Sequence, residues 1–303
     1  MIDFTNCKVL LNKAYSGANG KKIPIEYQGQ QYMLKFSPIA KDMTTQMSYT
    51  NSCYSEHVGS SIFNMLGVQA QETILGTYLV GDKIKVVCAC LDFTVDNKHL
   101  YDFCAIKNTV IDSAHGGTNT DLDDIMDTIE NQNFIDPIRL SEHFWDMFIV
   151  DAFLGNFDRH NGNWGFLVDW RTGETIIAPI FDCGSCLLPQ ADDNTMTEII
   201  ANVDELNARI FTFPTSAIRQ YGMKLNYYDF LTSTEIKACH DAVNRIVPRI
   251  ELEQINEFID NIDGITSLQK EFYKYYLKAR YHNILVPAYE FAMAQDRNSS
   301  LGL

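Results

Sequence analysis

The stretch Gly155–Asp169, GNFDRHNGNWGFLVD, sets Asp158, Arg159, His160, Asn161 and Asn163 between two apolar runs. Asp158 and Asn163 stand five apart with Gly162 between them, on a loop that leaves a buried-helix pattern and enters a hairpin pattern. The returning strand runs into PIFDCG, where Asp182 closes an apolar run and Gly184 permits a sharp turn. A carboxylate, an amide oxygen five residues on and a second carboxylate after the returning strand suit phosphoryl transfer. Asp158 would receive or orient the proton of an incoming hydroxyl, while Asn163 and Asp182 would hold Mg²⁺ against the phosphates. Mg²⁺ is a hard cation that takes one or two oxygens from protein and the rest from water and phosphate.

Such a site makes demands upstream. SGANGKK offers a turn, Ser16, Gly17, Ala18, Asn19, Gly20 and Lys21, whose backbone N–H groups would cover phosphates. YMLKF puts Lys35 on a strand, pointing opposite to Leu34 and Phe36. SCYSEHVGSSIFNML carries Glu56 on a helix, where it could hold that lysine. VVCACLDF brings Ala89, Cys90, Leu91 and Asp92 to the place where a hinge strand would meet adenine. Each piece has a plainer reading: a snorkelling lysine, a solvated helix face, a hairpin turn, a capped polar loop. Their order along one chain favours a single site for ATP and Mg²⁺.

The elements that must position these residues follow from periodicity. Alternation predicts strands over 22–27 and 31–36 around a Gln28-Gly29-Gln30 turn, and a second hairpin over 69–93 about Gly81-Asp82. Between them, 52–66 reads as a helix with Gly67 just past its end. Helices are predicted over 119–131 and 137–155, the latter opening on Pro137. A third hairpin, 164–169 with 175–181, follows the polar loop, and amphipathic stretches near 233–247, 250–261 and 266–293 make the remainder helical. The expected class is α+β and bilobed, with a small β-rich N-lobe (1–93) and a large, mostly helical C-lobe (94–303).

Bulk properties narrow the partners. The 303 residues carry 24 basic and 39 acidic side chains, a net charge of −15, which repels phosphate backbones and argues against direct nucleic-acid contact. No run approaches the 18 or so apolar residues of a membrane span. Eight cysteines without a leader-like N-terminus read as reduced thiols in the cytoplasm. Cys183 and Cys186 form a C-x-x-C, but no second pair completes a zinc set.

SGANGKK, YMLKF, SEHVGSSIFNMLGV, DRHNGN and PIFDCGS together resemble the HipA-like serine/threonine kinases, in particular the short CtkA-type members that start at the Gly-rich turn. The resemblance spans roughly residues 8–190. It implies a protein-kinase-like fold and transfer of the ATP γ-phosphate to a protein hydroxyl, with autophosphorylation. It makes Asp158 the base or orienter, Asn163 and Asp182 the metal ligands, Lys35 the α/β-phosphate contact and Glu56 its holder. His160 would touch the γ-phosphate or brace the loop, and Arg159 would pair with a carboxylate rather than with substrate. Family toxins carry an N-terminal domain that helps engage an antitoxin and operator DNA; about 15 residues precede the turn here, so an antitoxin or other regulator is carried over by resemblance alone, and export as an effector is the alternative to cytoplasmic action. Ser16 lies near the position where some members phosphorylate themselves. DRHNGN is also similar to the loop of phosphatidylinositol kinases, which keeps a lipid or small-molecule kinase open beside a pseudokinase binding module.

Overall fold

The computed structural model describes residues 1–13, 15, 21–37, 50–110 and 116–301. Strands β1 (Ile2–Asp3), β2 (Lys8–Val9), β3 (Lys22–Tyr27), β4 (Gln30–Phe36), β5 (Thr73–Val80) and β6 (Lys83–Leu91) make a six-stranded sheet in the order β1-β5-β6-β4-β3-β2. Only β1 runs parallel to its neighbour. Strand alternation divides β4 between two environments. Tyr32, Leu34 and Phe36 join Phe4, Ile25, Val87 and Ala89 in a small core on one face, while Lys35 turns to the other. Helix α1 (Ser52–Met65) packs on β5 and β6 and buries Val58, Ile62 and Phe63 in the large core.

The C-lobe opens with β7 (Lys98–Asp102), α2 (Phe103–Val110) and α3 (Leu122–Asn131). Helix α4 (Pro137–Leu154) is its axis. Asp136 caps it by accepting from the Arg139 amide at 3.0 Å, and its last two turns are buried on all sides from Met147 to Leu154. Its C-terminus is fixed twice. The buried Arg280 guanidinium donates from Nε to the Ala152 carbonyl at 2.8 Å, placing a cation at the negative end of the helix. Gly155 then ends it in the left-handed region at φ 65°, where a β-carbon would run into Tyr276 Oη.

Strands β8 (Gly165–Asp169) and β9 (Thr175–Ile177) pair with β7 in the order β7-β8-β9. The polar loop 155–164 therefore leaves the end of α4 and is closed off by a strand. Beyond lie α5 (Asp193–Ala201), α6 (Val203–Asn207), the ribbon β10 (Arg219–Gln220) and β11 (Met223–Lys224), α7 (Tyr227–Leu231), α8 (Lys237–Ile246), α9 (Leu252–Asp260), α10 (Ser267–Arg280) and α11 (Val286–Leu301). Among the described residues no helix is long and apolar enough to cross a membrane.

Three expectations shift. The first hairpin turns on two residues, Gln28-Gly29, so β4 starts at Gln30 and Lys22 pairs with Lys35 rather than with Phe36. The strand expected over 175–181 stops at Ile177, because Pro179 has no N–H for a ladder. The helix expected over 266–293 is interrupted by a π-turn over Tyr281–Leu285, just where Pro287 can give no N–H to the Asn283 carbonyl.

His143 on α4 has a buried Nε2 without a hydrogen-bond partner in the described structure. Burial, then the charges of Arg159 and Arg139, push its imidazole down to about 4. The unfolded chain therefore binds a proton between about pH 6.5 and 4 that the folded chain refuses, and stability falls as pH drops through that window. We expect a loss of up to about 3 kcal/mol from this group. Thermal unfolding followed across the window should show a flatter pH profile for His143→Gln than for the wild type.

Candidate active site

A cleft of about 800 Å³ lies between the six-stranded sheet and the C-lobe, lined by Lys21, Lys22, Lys35, Glu56, Asp158, Asn163 and Asp182 among others. Lys35 is its electrostatic centre. Its Nζ lies 2.9 Å from Glu56 Oε1 and 3.0 Å from Asp182 Oδ1, joining β4, α1 and the segment after β9. Burial works to lower the Lys35 ammonium, but the Asp182 and Glu56 carboxylates outweigh it and hold it well above its usual value. In return, the Lys35 charge holds Asp182 down to about 2. Glu56 is almost wholly buried, so this ion pair is shielded from solvent, whereas Asp182 stays half exposed to the cleft.

The loop that carries Asp158 is built around a buried guanidinium. Arg159 Nε donates to Asp151 Oδ2 at 2.9 Å, and Nη2 reaches Asp151 Oδ1 at 3.3 Å. Nη1 donates to the Asn163 carbonyl at 2.9 Å and to the Phe181 carbonyl, and Nη2 meets Cys183 Sγ at 3.5 Å. Asp151 projects from α4 and also accepts from Asn156 Nδ2 at 2.7 Å. Its burial pushes the carboxyl up against the opposing pull of Arg159. One side chain thus ties α4, the loop and the residue before Asp182 together.

The loop is stitched locally as well. Asn156 Oδ1 accepts from the Asp158 amide at 3.1 Å, and Asn163 Nδ2 donates to the Asp158 carbonyl at 2.8 Å. That second bond orients the Asn163 amide. His160 lines the cleft and accepts the Gly162 N–H on Nδ1 at 3.0 Å. Burial raises the Asp158 carboxyl; His160, Arg159 and Lys224 oppose the shift and Asp182 adds to it. On the opposite wall, α1 sits directly on the segment after Asp182. A β-carbon on Gly59 would lie 2.9 Å from Cys183 Cβ and 3.3 Å from Cys186 Sγ, both buried thiols.

The fold brings Lys35, Glu56, Asp158, His160, Asn163 and Asp182 to one cleft. Lys21 joins them, its ammonium 5.3 Å from the Phe36 ring centroid. Ser16, Gly17, Ala18, Asn19 and Gly20 lie outside the described residues. Ala89 and Cys90 are buried inside the sheet and do not line the cleft, and the Leu91 carbonyl accepts from Gln71 Nε2 at 2.8 Å. Of the four expected there Asp92 does line the cleft, and Phe93 and Thr94 continue that wall. The Asp92 carboxylate is engaged by Lys13, Tyr15 Oη and Thr94; burial works to raise it, yet these bonds hold it below its usual value. Two participants escaped the sequence reading. Lys22 would have followed from a two-residue turn, since its register partner is then Lys35. Asp151 was signalled by a lone acid within FIVDAF, where a buried charge requires a partner.

Arg159→Met should leave Asp151 buried without its cation and cost about 3–5 kcal/mol of stability. The double variant Asp151→Leu/Arg159→Met, with both charges gone, should recover part of that loss. Chemical denaturation of the three proteins measures the difference.

The family of HipA-like C-terminal domains matches residues 8–259. The serine/threonine-protein kinase CtkA of Helicobacter pylori is 49% identical over 294 residues, covering 96% of this chain and 89% of its own. The crystal structure of a Helicobacter pylori proinflammatory kinase CtkA superposes with a TM-score of 0.91 at 48% identity, covering 97% of this chain and 98% of that one. The HipA, HipB and operator DNA complex of Shewanella oneidensis matches with a TM-score of 0.53 at 13% identity, over 94% of this chain and 70% of that one, which shows a shared fold. The chain belongs to the HipA-like family, has its bilobed protein-kinase-like fold, and is a serine/threonine protein kinase that uses ATP.

Proposed function

We propose that Asp158, Asn163 and Asp182, with Lys35 and Glu56, carry out transfer of the ATP γ-phosphate to a protein serine or threonine, including residues of the chain itself. The observation that carries this reading is the Lys35 ammonium held 2.9 Å from Glu56 and 3.0 Å from Asp182 at the mouth of the Asp158 loop. Lys35 offers a fixed cation to the α- and β-phosphates, and Glu56 prevents it from folding away. Asp158, with its carboxyl raised by burial, accepts the proton of the attacking hydroxyl as the oxygen bonds to phosphorus and ADP departs. Lys21, with Ser16–Gly20 just before it in the sequence, covers the phosphates, and His160 braces the loop through its bond to Gly162. Adenine lies against the wall of Asp92, Phe93 and Thr94.

The donor set suits Mg²⁺. Asn163 and Asp182 present hard oxygens to the cleft, and among the described residues no group of three His, Cys, Asp or Glu could hold a metal unaided. Two protein oxygens completed by phosphates match a cation that enters with the nucleotide, and it would neutralise charge on the phosphates.

We divide the lobes at Phe93, giving 1–93 and 94–303, since Asp92–Thr94 line the cleft between them. The eight cysteines are free thiols, six of them buried, in keeping with a reducing cytoplasm. By analogy with the Shewanella complex, an antitoxin-like regulator is a partner; the net charge of −15 argues against direct DNA contact.

Intact mass after incubation with Mg-ATP tests the assignment. Wild type should gain phosphate, and Asp158→Asn and Asp182→Asn should each lose about 10²–10⁴-fold in rate while keeping the wild-type circular dichroism. Near-normal transfer by Asp182→Asn would remove it from the metal site.

A further inference from the structure

Beside the Asp158 loop the chain makes a small ribbon whose chemistry the reaction above does not use. Strands β10 and β11 pair Gln220 with Met223, leaving Tyr221-Gly222 as a two-residue turn. Tyr221 has φ 51° and Gly222 φ 79°. Turns with both central residues in the left-handed region favour Asn-Gly or Asp-Gly, and a bulky aromatic at the first position is strained there. Tyr221 is nevertheless 84% exposed, and Met223 beside it is 71% exposed, so neither repays strain by packing. Strain held on an exposed side chain points to a role outside folding.

The ribbon is tied rigidly to the catalytic loop. Asn161 Nδ2 donates to the carbonyls of Gly117 and Asn119, at 2.7 and 2.8 Å. Thr120 in turn accepts the Arg219 amide at 2.8 Å and donates to the Ala217 carbonyl at 2.7 Å. From the other side, Tyr227 Oη donates to the Asn156 carbonyl at 2.5 Å, and the Phe157 and Phe213 rings meet at 5.4 Å. Lys224 and Arg219 are exposed cations that make no ion pair among the described residues, on a chain of net charge −15. Strand β11 has a partner on one side only in the described structure.

We propose that this ribbon is the docking edge for the phosphoacceptor segment of the protein substrate: an extended strand that lies along β11, sets an apolar side chain against Tyr221 and Met223, and faces Lys224 with an acidic one. An unpaired edge supplies backbone bonds to an extended chain, and alternate side chains supply the selectivity. The ribbon's connection to the Asp158 loop fixes the distance between the gripped residues and the reacting hydroxyl. The proposal rests on the kinase reading above and names its substrate class.

A positional-scanning library of short Ser- and Thr-centred peptides, phosphorylated with Mg-ATP, tests it. Wild type should select an acidic and an apolar residue at fixed offsets from the phosphoacceptor. Lys224→Glu should convert the acidic preference to a basic one. Tyr221→Asn should raise the peptide KM about tenfold, leave the KM for ATP unchanged, and keep or raise the melting temperature, since Asn relieves the turn. Unchanged selectivity in both variants overturns the proposal. So does a library that stays unlabelled by a wild type that phosphorylates itself, because the substrate is then read by a folded surface. If wild type neither labels itself nor turns over ATP, the kinase chemistry itself fails, and the docking edge falls with it.

Discussion

The geometry of the site depends on one buried guanidinium. Arg159 has five N–H donors in a rigid plane, and the structure uses that plane as a joint. It grips Asp151 on the central helix, the carbonyl of Asn163 at the end of the loop, and the carbonyl of Phe181 immediately before Asp182. Asp158 and Asn163 share one loop while Asp182 follows β9, and this single group ties the two stretches together. A lysine could not replace it, since a point ammonium cannot address three elements in fixed directions. The buried Asp151 carboxylate is unfavourable alone, and the arrangement is tolerated because each of its oxygens is matched by a donor.

Around that joint the charges are placed before any reaction begins. Lys35 is gripped from the helix side by a buried carboxylate and from the loop side by a half-exposed one. The buried contact is shielded and fixes the lysine, while the exposed one can be exchanged for an incoming anion. Charges already oriented need no reorganisation when negative charge shifts between oxygens, which is where such sites gain most of their rate.

Much of this was legible in the sequence, and unevenly so. Asp158, Asn163 and Asp182 could be read because their spacing is local and each flanks a strongly apolar run. Lys35 could be read because strands alternate, and Glu56 because the helix containing it is well marked. Register was less secure: a single residue in the Gln28-Gly29 turn decides whether Lys22 or its neighbour stands opposite Lys35. Asp92 could be read, but Phe93 and Thr94 were hidden because the strand before them is apolar to its end, and no pattern marks where a strand stops being core and becomes cleft. The 208–226 region was least legible. It has no sustained periodicity, and its shape comes from distant partners such as Thr120, Asn156 and Phe157.

Gly59 has a broader consequence. Because it lacks a side chain, α1 rests directly on Cys183 and Cys186, backbone against loop, with no room for a hinge between them. The helix that holds the lysine and the loop that presents Asp182 are therefore one mechanical part. In a kinase where those pieces slide independently, activity can be dimmed by degrees, by loosening one and sparing the other. Here the close packing couples them, so a displacement of the helix is carried straight to the loop and both ends of the Lys35 contact feel it.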